Sequence, residues 1–415
     1  MMGNTLQLIA VFLVLIYLFG QIISLSATST TAYDEYVISI INTRNVPTPA
    51  PFDQLLNITV NEVNPSVWST ALSYKFLNML FMQNGQKLYA WIQNYTQNYV
   101  LVWVKIPTGI PAESITQITL IFTSSVQYPY TGIAPELTIP YGEYDNGHNV
   151  FLFYNNFKSP LSLADFKVYN GTNPQLATVS FNDGFNLTAY ATSTTNYYLL
   201  SSTVSFNEPI IAFAYISVNL FDATSNPIDV RTYYPMLTDN LTLPRSYYQN
   251  CIETPWADSV AVSINGDGIP PWAFFSTNDS GIPYQYNTYI QGSFTALWGV
   301  GYGYSTPVSY FYENSFNPAY TIDYSPRAYQ SMRLVLGFAG APTGSFSIKT
   351  YYVFVAPLPP NGVMPVFTVQ PMTTTIQPAI TTTVINQLPE LFYFLVLAML
   401  VVIAVLVFII IKRRR

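Results

Sequence analysis

An uninterrupted apolar run near the C-terminal end, residues 391–411, constrains this chain more than any other feature, because it contains no charged residue. As a helix it would be about 30 Å long, which matches the hydrocarbon core of a bilayer. Glu390 stands directly before it, and the cations Lys412, Arg413, Arg414 and Arg415 follow it. Because adjacent cations resist translocation, we predict a transmembrane helix with residues 412–415 cytoplasmic and the preceding chain outside.

A second apolar run covers residues 6–25, and the small residues Ser24, Ser26 and Ala27 follow at its end. This pattern predicts a signal peptide, residues 1–27, with cleavage near Ala27. No Lys or Arg precedes the run, and the run is long for a signal peptide. An uncleaved N-terminal membrane helix therefore stays an alternative, and both interpretations place residues 30–385 outside.

The composition indicates a surface of uncharged polar side chains. Only 9% of the residues are charged, whereas 16% are aromatic, and ordinary domains are about one quarter charged. A fold with few carboxylate pairs loses little when acid protonates carboxylates, so we expect an acidic habitat. All 21 Asp and Glu precede residue 391, and four of the 15 Lys and Arg follow it. The resulting negative charge of the outer part argues against a nucleic-acid partner.

The predicted export of the chain affects how its single cysteine and its Asn-X-Ser/Thr sequons are interpreted. Cys251 is the only cysteine, so an intrachain disulfide is excluded, while a buried thiol is favoured over an interchain bond. Homo-oligomerisation stays open.

Asn-X-Ser/Thr sequons predict glycosylation of an exported chain, and they occur at Asn57, Asn94, Asn170, Asn186, Asn240 and Asn278.

Short segments rich in β-branched and aromatic residues recur along the chain, with turn signals such as Asn84-Gly85 between them. No long stretch has a sustained helical period. We predict an all-β fold with a β-sandwich over residues 34–140 and a second sandwich over residues 141–356. Residues 357–387 are rich in Pro and Thr and are predicted to form an extended stalk.

Two segments resemble archaeal surface proteins in which a domain of unknown function precedes a concanavalin-A-like jelly roll. The first match is carried by Asn84-Gly85, Trp91-Ile92, Trp103-Val104-Lys105 and Gly109-Ile110-Pro111-Ala112. The second is carried by Gly142-Glu143-Tyr144-Asp145-Asn146-Gly147 and Phe151-Leu152-Phe153-Tyr154. The resemblance implies that residues 141–356 form a concanavalin-A-like jelly roll. It implies a surface location more than an activity, because the family has no single established activity.

The sequence offers no convincing catalytic site. His148 is the only histidine and sits in a turn, and a Gly-x-Ser-x-Gly elbow is absent. Glu143 and Asp145 form an i, i+2 acid pair, but they fall on the domain junction. We predict that the chain is not an enzyme, and a carbohydrate-active enzyme is the less favoured alternative.

Two kinds of binding site remain. Calcium is the one cofactor considered, with Asp145, Asn146 and Asn149 as weak candidate ligands, although turn chemistry explains them equally well. Asn265, Asp267 and Asp279 form a second such cluster. Aromatic side chains on loops make platforms for sugars and proteins, and the candidates for such a site are Trp272, Tyr284, Tyr286, Trp298, Tyr302 and Tyr304.

These observations predict a single-pass surface glycoprotein of a cell membrane or virion envelope, belonging to an acidophilic archaeon or its virus. We expect it to act in adhesion or in recognition of glycans, surface proteins or a host surface. A structural envelope or coat component without a specific ligand is the alternative.

Overall fold

The computed structural model describes residues 34–127, 130, 146–158, 160–171, 177–181, 183–190, 196–220, 230–239, 259–264, 272–277, 284–288, 293–303, 308–323, 331–340, 345–372 and 412. The described residues up to Pro371 belong to one compact unit. The predicted signal peptide lies outside the described residues. Cys251 and the cluster of Asn265, Asp267 and Asp279 lie outside them as well. Within the described part, no helix is long and apolar enough to cross a membrane, and residues 391–411 lie outside that part.

The first part of the unit contains seven strands, and helix α1 (Pro65–Ser73) lies between the second and the third. The strands are β1 (Asp34–Asn42), β2 (Phe52–Thr59), β3 (Met79–Gln83), β4 (Gln86–Leu88), β5 (Ala90–Tyr95), β6 (Tyr99–Ile106) and β7 (Ser114–Phe122). A short 3-10 helix, Val60–Glu62, precedes α1. Helix α1 begins where Asn64 Oδ1 accepts a hydrogen bond from the Ser66 amide, with Pro65 in the first turn.

The second part begins with helix α2 (Gly147–Val150) and continues with sixteen described strands. These strands are β8 (Phe153–Asn155), β9 (Phe166–Asn170), β10 (Ala177–Phe181), β11 (Phe185–Ala189), β12 (Asn196–Ser202), β13 (Ile210–Leu220), β14 (Val230–Thr238), β15 (Ser259–Ile264), β16 (Trp272–Thr277), β17 (Tyr284–Thr288), β18 (Phe294–Tyr302), β19 (Val308–Glu313), β20 (Tyr320–Asp323), β21 (Arg333–Gly340), β22 (Phe346–Pro357) and β23 (Val366–Pro371). Two 3-10 helices, Pro160–Asp165 and Pro360–Gly362, join them.

The strands form four antiparallel sheets, which confirms the all-β prediction. Sheet A has the order β23-β1-β7-β3-β4, and sheet B has the order β2-β6-β5. Sheet C has the order β10-β11-β22-β13-β18-β19-β20, with β8 also paired to β22. Sheet D has the order β17-β16-β15-β14-β21-β12-β9.

The first hydrophobic core lies between sheets A and B. Alternate residues of β1, including Ile38 and Ile40, point into it and are fully buried. Val102 and Val104 of β6 meet them from sheet B. This alternation is what a period-2 pattern of apolar residues produces when one face of each strand is buried.

Sheet B is buried on both of its faces around Trp91 and Trp103, whereas its second face is exposed at Asn57 and Asn94. Trp91 and Trp103 point away from the first core and pack against Phe213 and Phe354 on the outer face of sheet C. A further core between sheets C and D contains inward residues such as Leu187 and Leu336. The sheets therefore stack in the order A, B, C, D, and sheet B joins the two sandwiches.

The sequence prediction of the stalk needs a correction at its start. Residues 357–371 are folded rather than extended: β22 runs to Pro357, Leu358 is buried, and β23 pairs with β1. Phe367 and Val369 of β23 pack on the first core, and this apolar burial holds the strand in the sheet. The Thr-rich residues 373–387 lie outside the described residues, as do residues 131–145, so the domain boundary near residue 140 stays a prediction.

Candidate functional site

The joint between sheets B and C is built around two β-bulges. One lies in β5 between Ile92 and Asn94, and the other lies where β22 and β13 shift register next to Tyr352. Gln93, at the first bulge, accepts a hydrogen bond from Trp103 Nε1 at 2.8 Å and donates one to the Tyr352 hydroxyl at 3.3 Å. Bulges redirect side chains, and here they bring both sheets into contact. The outer face of sheet C is thus covered up to Tyr352.

A carboxyl group is buried at the same joint. Asp53 of β2 is 1% exposed, and neither carboxyl oxygen has a hydrogen-bond partner. Burial raises its pKa to about 8, and the opposing charge of Lys105 on β6 only partly offsets that rise. The Lys105 ammonium instead donates to the Asn149 carbonyl at 3.1 Å. Asp53 therefore stays protonated in acid, which suits the acidic habitat expected from the composition.

Beyond the joint, the outer face of sheet C carries short uncharged polar side chains, which we call the hydroxyl face. None of its members is buried. The hydroxyl face consists of Thr178, Ser180, Asn186, Thr188, Ser217, Asn219, Ser293, Thr295, Ser347 and Lys349. Neighbouring strand residues such as Leu187, Ile216 and Ile348 point to the opposite side, into the core between sheets C and D. Lys349 is the single ionisable member, so protonation of carboxylates in acid does not alter this surface.

The strand register aligns these side chains in two rows across five strands. The first row contains Ser180, Asn186, Lys349, Ser217 and Thr295, which are cross-strand partners in that order. The second row contains Thr178, Thr188, Ser347 and Asn219. Ser293 joins that row by donating to Asn219 Oδ1 at 2.7 Å. Adjacent strands lie about 4.8 Å apart, so the face offers donors and acceptors at regular spacing.

Two tyrosines border the hydroxyl face on the side of the joint. Tyr215 and Tyr351 are half-buried, and their ring centroids are 5.4 Å apart. Lys349 Nζ lies 5.0 Å from the centroid of the Tyr351 ring. Burial, with a smaller effect of Tyr351, raises the pKa of Tyr215, so this hydroxyl stays neutral. The pair adds apolar ring surface next to a field of hydroxyl and amide groups.

The hydroxyl face was not predicted from the sequence. On four strands its members form an i, i+2 polar pair, such as Ser217 and Asn219, and Ser293 stands just before β18, two residues from Thr295. Such pairs are typical of the solvent side of any half-buried strand. Only the register shows that pairs from β10, β11, β13, β18 and β22 lie side by side. The one feature of the sequence that could have indicated the hydroxyl face is that these pairs contain a single charged residue, Lys349.

The predicted aromatic site is not brought together as expected. Trp298 and Tyr302 are 2% and 1% exposed and belong to the core between sheets C and D. They face inward because they fall on the buried side of β18, so their prediction as surface ligand residues is wrong. Trp272, Tyr284 and Tyr286 lie on β16 and β17, whose side chains are outside the description, and Tyr304 is not a described residue.

Four of the six predicted glycosylation sites lie on described strands. Asn57 and Asn94 are exposed and flank Leu101 on sheet B, while Asn170 is exposed at the end of β9. Asn186 is half-buried on the hydroxyl face. All four positions are compatible with modification, which stays a prediction. Asn240 and Asn278 lie outside the described residues.

The weak calcium candidates have structural contacts. Asn146 is buried, and its Nδ2 donates to the Ala90 carbonyl, while its Oδ1 accepts from Asn149 Nδ2 at 2.7 Å. The bond to Ala90 attaches the start of α2 to sheet B. Asp145 and the acid Glu143 lie outside the described residues. Within the described part of the chain, no group of three or more His, Cys, Asp and Glu could hold a metal ion.

His148 shows no sign of a catalytic arrangement among the described residues. It is exposed on α2, and its ring meets the Tyr154 ring edge-on at a centroid distance of 5.5 Å. That contact is typical of structural packing at the start of the second sandwich.

No protein-family model matches this sequence. The chain is 29% identical over 395 residues to a protein of Sulfolobus islandicus rod-shaped virus 1, uncharacterized protein 562. The match covers 85% of this chain and 64% of the viral protein. A viral relative therefore exists, and the chain spans less than two thirds of its length.

Solved structures with weak similarity include two mycobacterial proteins. One is an immunostimulatory antigen and pseudo β-1,3-glucanase of Mycobacterium tuberculosis, with 15% identity and a TM-score of 0.37 over 50% of this chain and 98% of that chain. The other is a β-1,3-glucanase of Mycobacterium marinum, with 13% identity and a TM-score of 0.36 over 49% of this chain and 98% of that chain. At these TM-scores, the concanavalin-A-like topology of residues 141–356 stays a prediction, and the all-β architecture rests on the chain's own strand order.

Proposed function

We propose that this chain is a membrane-anchored surface glycoprotein that recognises glycans of a host or neighbouring surface through the hydroxyl face. The observation that carries the proposal is the alignment of uncharged hydroxyl and amide groups beside Tyr215 and Tyr351. Sugars present hydroxyl groups along their edges and C–H groups on their ring faces. The rows supply hydrogen bonds to the first, and the tyrosine rings supply apolar contact to the second.

The proposal includes a location in a membrane. The apolar run 391–411 with its four following cations supports anchoring with a cytoplasmic tail. The viral relative supports a viral origin. The proposed location is a virion envelope in that case, and an acidophilic archaeal membrane otherwise. The proposal assigns no catalytic role to any residue and needs no metal ion.

Replacement of Tyr351 by alanine is expected to weaken binding of immobilised host-surface polysaccharide about tenfold, because the ring contact is lost. The measurement is surface-based binding of the full-length protein at about pH 3 and pH 7. The matched control is Tyr169→Ala, because Tyr169 also lies under a lysine, Lys167, at 4.7 Å, but on sheet D. Equal losses in the two variants, or no binding of any host preparation by the unmodified protein, would refute recognition through this face.

A structural coat component is a second candidate, and an apolar row on the outer face of sheet A favours it. Ile115 and Val366 are 60% and 58% exposed, and both are cross-strand partners of Ile41. Exposed aliphatic side chains in a row are typical of packing surfaces, and here a second copy of the chain would cover them.

This second candidate makes its own prediction. Ile115→Asp is expected to convert oligomers of the full-length protein to monomers in mass measurements, because charge would be buried at the contact. Gln117→Asp, two residues along the same exposed strand face, is the control. A chain that is monomeric before any substitution, with no lattice in electron micrographs of native membranes or particles, would rule out this role.

A further inference from the structure

We infer that an N-glycan on Asn186 lies along the hydroxyl face, so that occupancy of this sequon decides whether the face is open to an outside ligand. The inference rests on the proposed function, because it concerns control of the same surface. It concerns one sequon out of the six, chosen by its place in the fold.

The position of Asn186 carries the inference. Its side chain stands inside the first row, between Ser180 on β10 and Lys349 on β22. Thr188, which completes the sequon, projects from the same face two residues further on. Asn186 Nδ2 donates to the Gly184 carbonyl at 3.3 Å, and the residue is half-buried. The modifiable nitrogen thus lies within the polar array, one strand from its β10 side.

Attachment of the glycan changes only Asn186 among the members of the hydroxyl face. A lipid-pyrophosphate-linked oligosaccharide supplies the sugar: a bond forms between Asn186 Nδ2 and the anomeric carbon, the lipid pyrophosphate leaves, and Nδ2 loses one proton. No side chain of the hydroxyl face is oxidised or reduced. The attached sugar remains covalently tethered, so its local concentration over the face is high and it competes with any free glycan.

The dimensions of the face fit a tethered oligosaccharide. From β11, the strands β22, β13 and β18 follow in order, so Thr295 lies about 14 Å from Asn186 across three strand spacings. A short oligosaccharide spans this distance and passes Lys349 and Ser217, next to the Tyr351 ring. The same hydroxyl and amide groups that would bind an outside glycan would bind this one.

The other described sequons lack this setting. Asn170 stands at the end of β9, the edge strand of sheet D, and Asn57 and Asn94 lie on sheet B. Substitution of Asn170 therefore removes a glycan without touching the hydroxyl face. It is the matched control for Asn186.

The first test measures shielding without any ligand. Full-length protein from a glycosylating host is treated with an amine-acylating reagent, and occupancy at each sequon is read by glycopeptide mass spectrometry. Asn186→Gln is expected to raise the acylation rate of Lys349 at least about fivefold, while Asn170→Gln leaves it unchanged. Lys87, an exposed lysine 5.1 Å from the Tyr130 ring, is the internal control. An unmodified Asn186 in the parent protein, or equal Lys349 rates, would overturn the inference.

The second test separates this inference from the proposed function. Asn186→Gln, which removes the sequon but keeps an amide at this position, is expected to strengthen polysaccharide binding about tenfold, whereas Asn170→Gln, outside the hydroxyl face, keeps the parent affinity. Equal binding by all variants would refute control by the glycan and leave recognition standing. Shielding of Lys349 with no polysaccharide binding by any variant would instead refute recognition and leave the glycan cover standing.

Discussion

Replacement of Trp103 by alanine is expected to lower the free energy of unfolding by about 3–5 kcal/mol, the range for removing a large buried aromatic side chain. Trp103 is fully buried at the joint, where its ring meets those of Phe151 and Phe354 at centroid distances of 5.4 and 5.3 Å. The change also removes the donor that Gln93 Oε1 accepts from. Denaturant titration of the full-length protein measures the loss.

Leu101→Ala is the control for this prediction. Leu101 lies two residues earlier on β6, on the same face of sheet B, but it is only half-buried. We expect its substitution to lower the free energy of unfolding clearly less, because less buried apolar area is lost. If both variants lost the same free energy, the packing of sheet B on sheet C would not be a main source of stability.

Stability is expected to fall as the pH rises from about 4 towards 8, and Asp53→Asn is expected to remove this slope. The pKa of Asp53 is raised from 3.8 to about 8 by burial. Between these values the folded chain holds a proton that the unfolded chain has lost, so unfolding releases a proton. Each pH unit in this window therefore costs about 1.4 kcal/mol of unfolding free energy, and below pH 4 the contribution is fully retained.

The measurement is the denaturant midpoint of the full-length protein at several pH values between about 3 and 9. Asp183→Asn is the control, because the Asp183 side chain is 69% exposed and only 3.9 Å from Lys158 Nζ. A parent protein whose stability is constant across the window, or an Asp53→Asn variant that keeps the slope, would show that Asp53 is not the responsible group.

The residues that carried the family resemblance turn out to serve two cores. Ile92 and Val104 point into the first sandwich, whereas Trp91 and Trp103 point to sheet C. Lys105 shares that outward side and bonds to α2. A motif of alternating residues on two neighbouring strands is thus explained by a part of sheet B that is buried on both faces.

What could be predicted from the sequence was local. The recurring segments rich in β-branched and aromatic residues predict strands, and two of them form β6 (Tyr99–Ile106) and β7 (Ser114–Phe122). Alternation of apolar and polar residues is a property of the strand itself, so it needs no partner to be read. The sequons, the low charge and the apolar run 391–411 can likewise be recognised without knowing which segments are in contact.

What only the tertiary structure decided depends on which strand lies beside which. No local pattern indicates that β23 returns to β1, that Trp298 faces a core, or that Asn186 stands opposite Lys349. Strand register is determined by apolar surfaces that meet from distant parts of the chain, and by bulges that shift the alternation. The composition and the apolar run thus followed from the residues alone, while the joint and the hydroxyl face exist only once sheets B and C have packed.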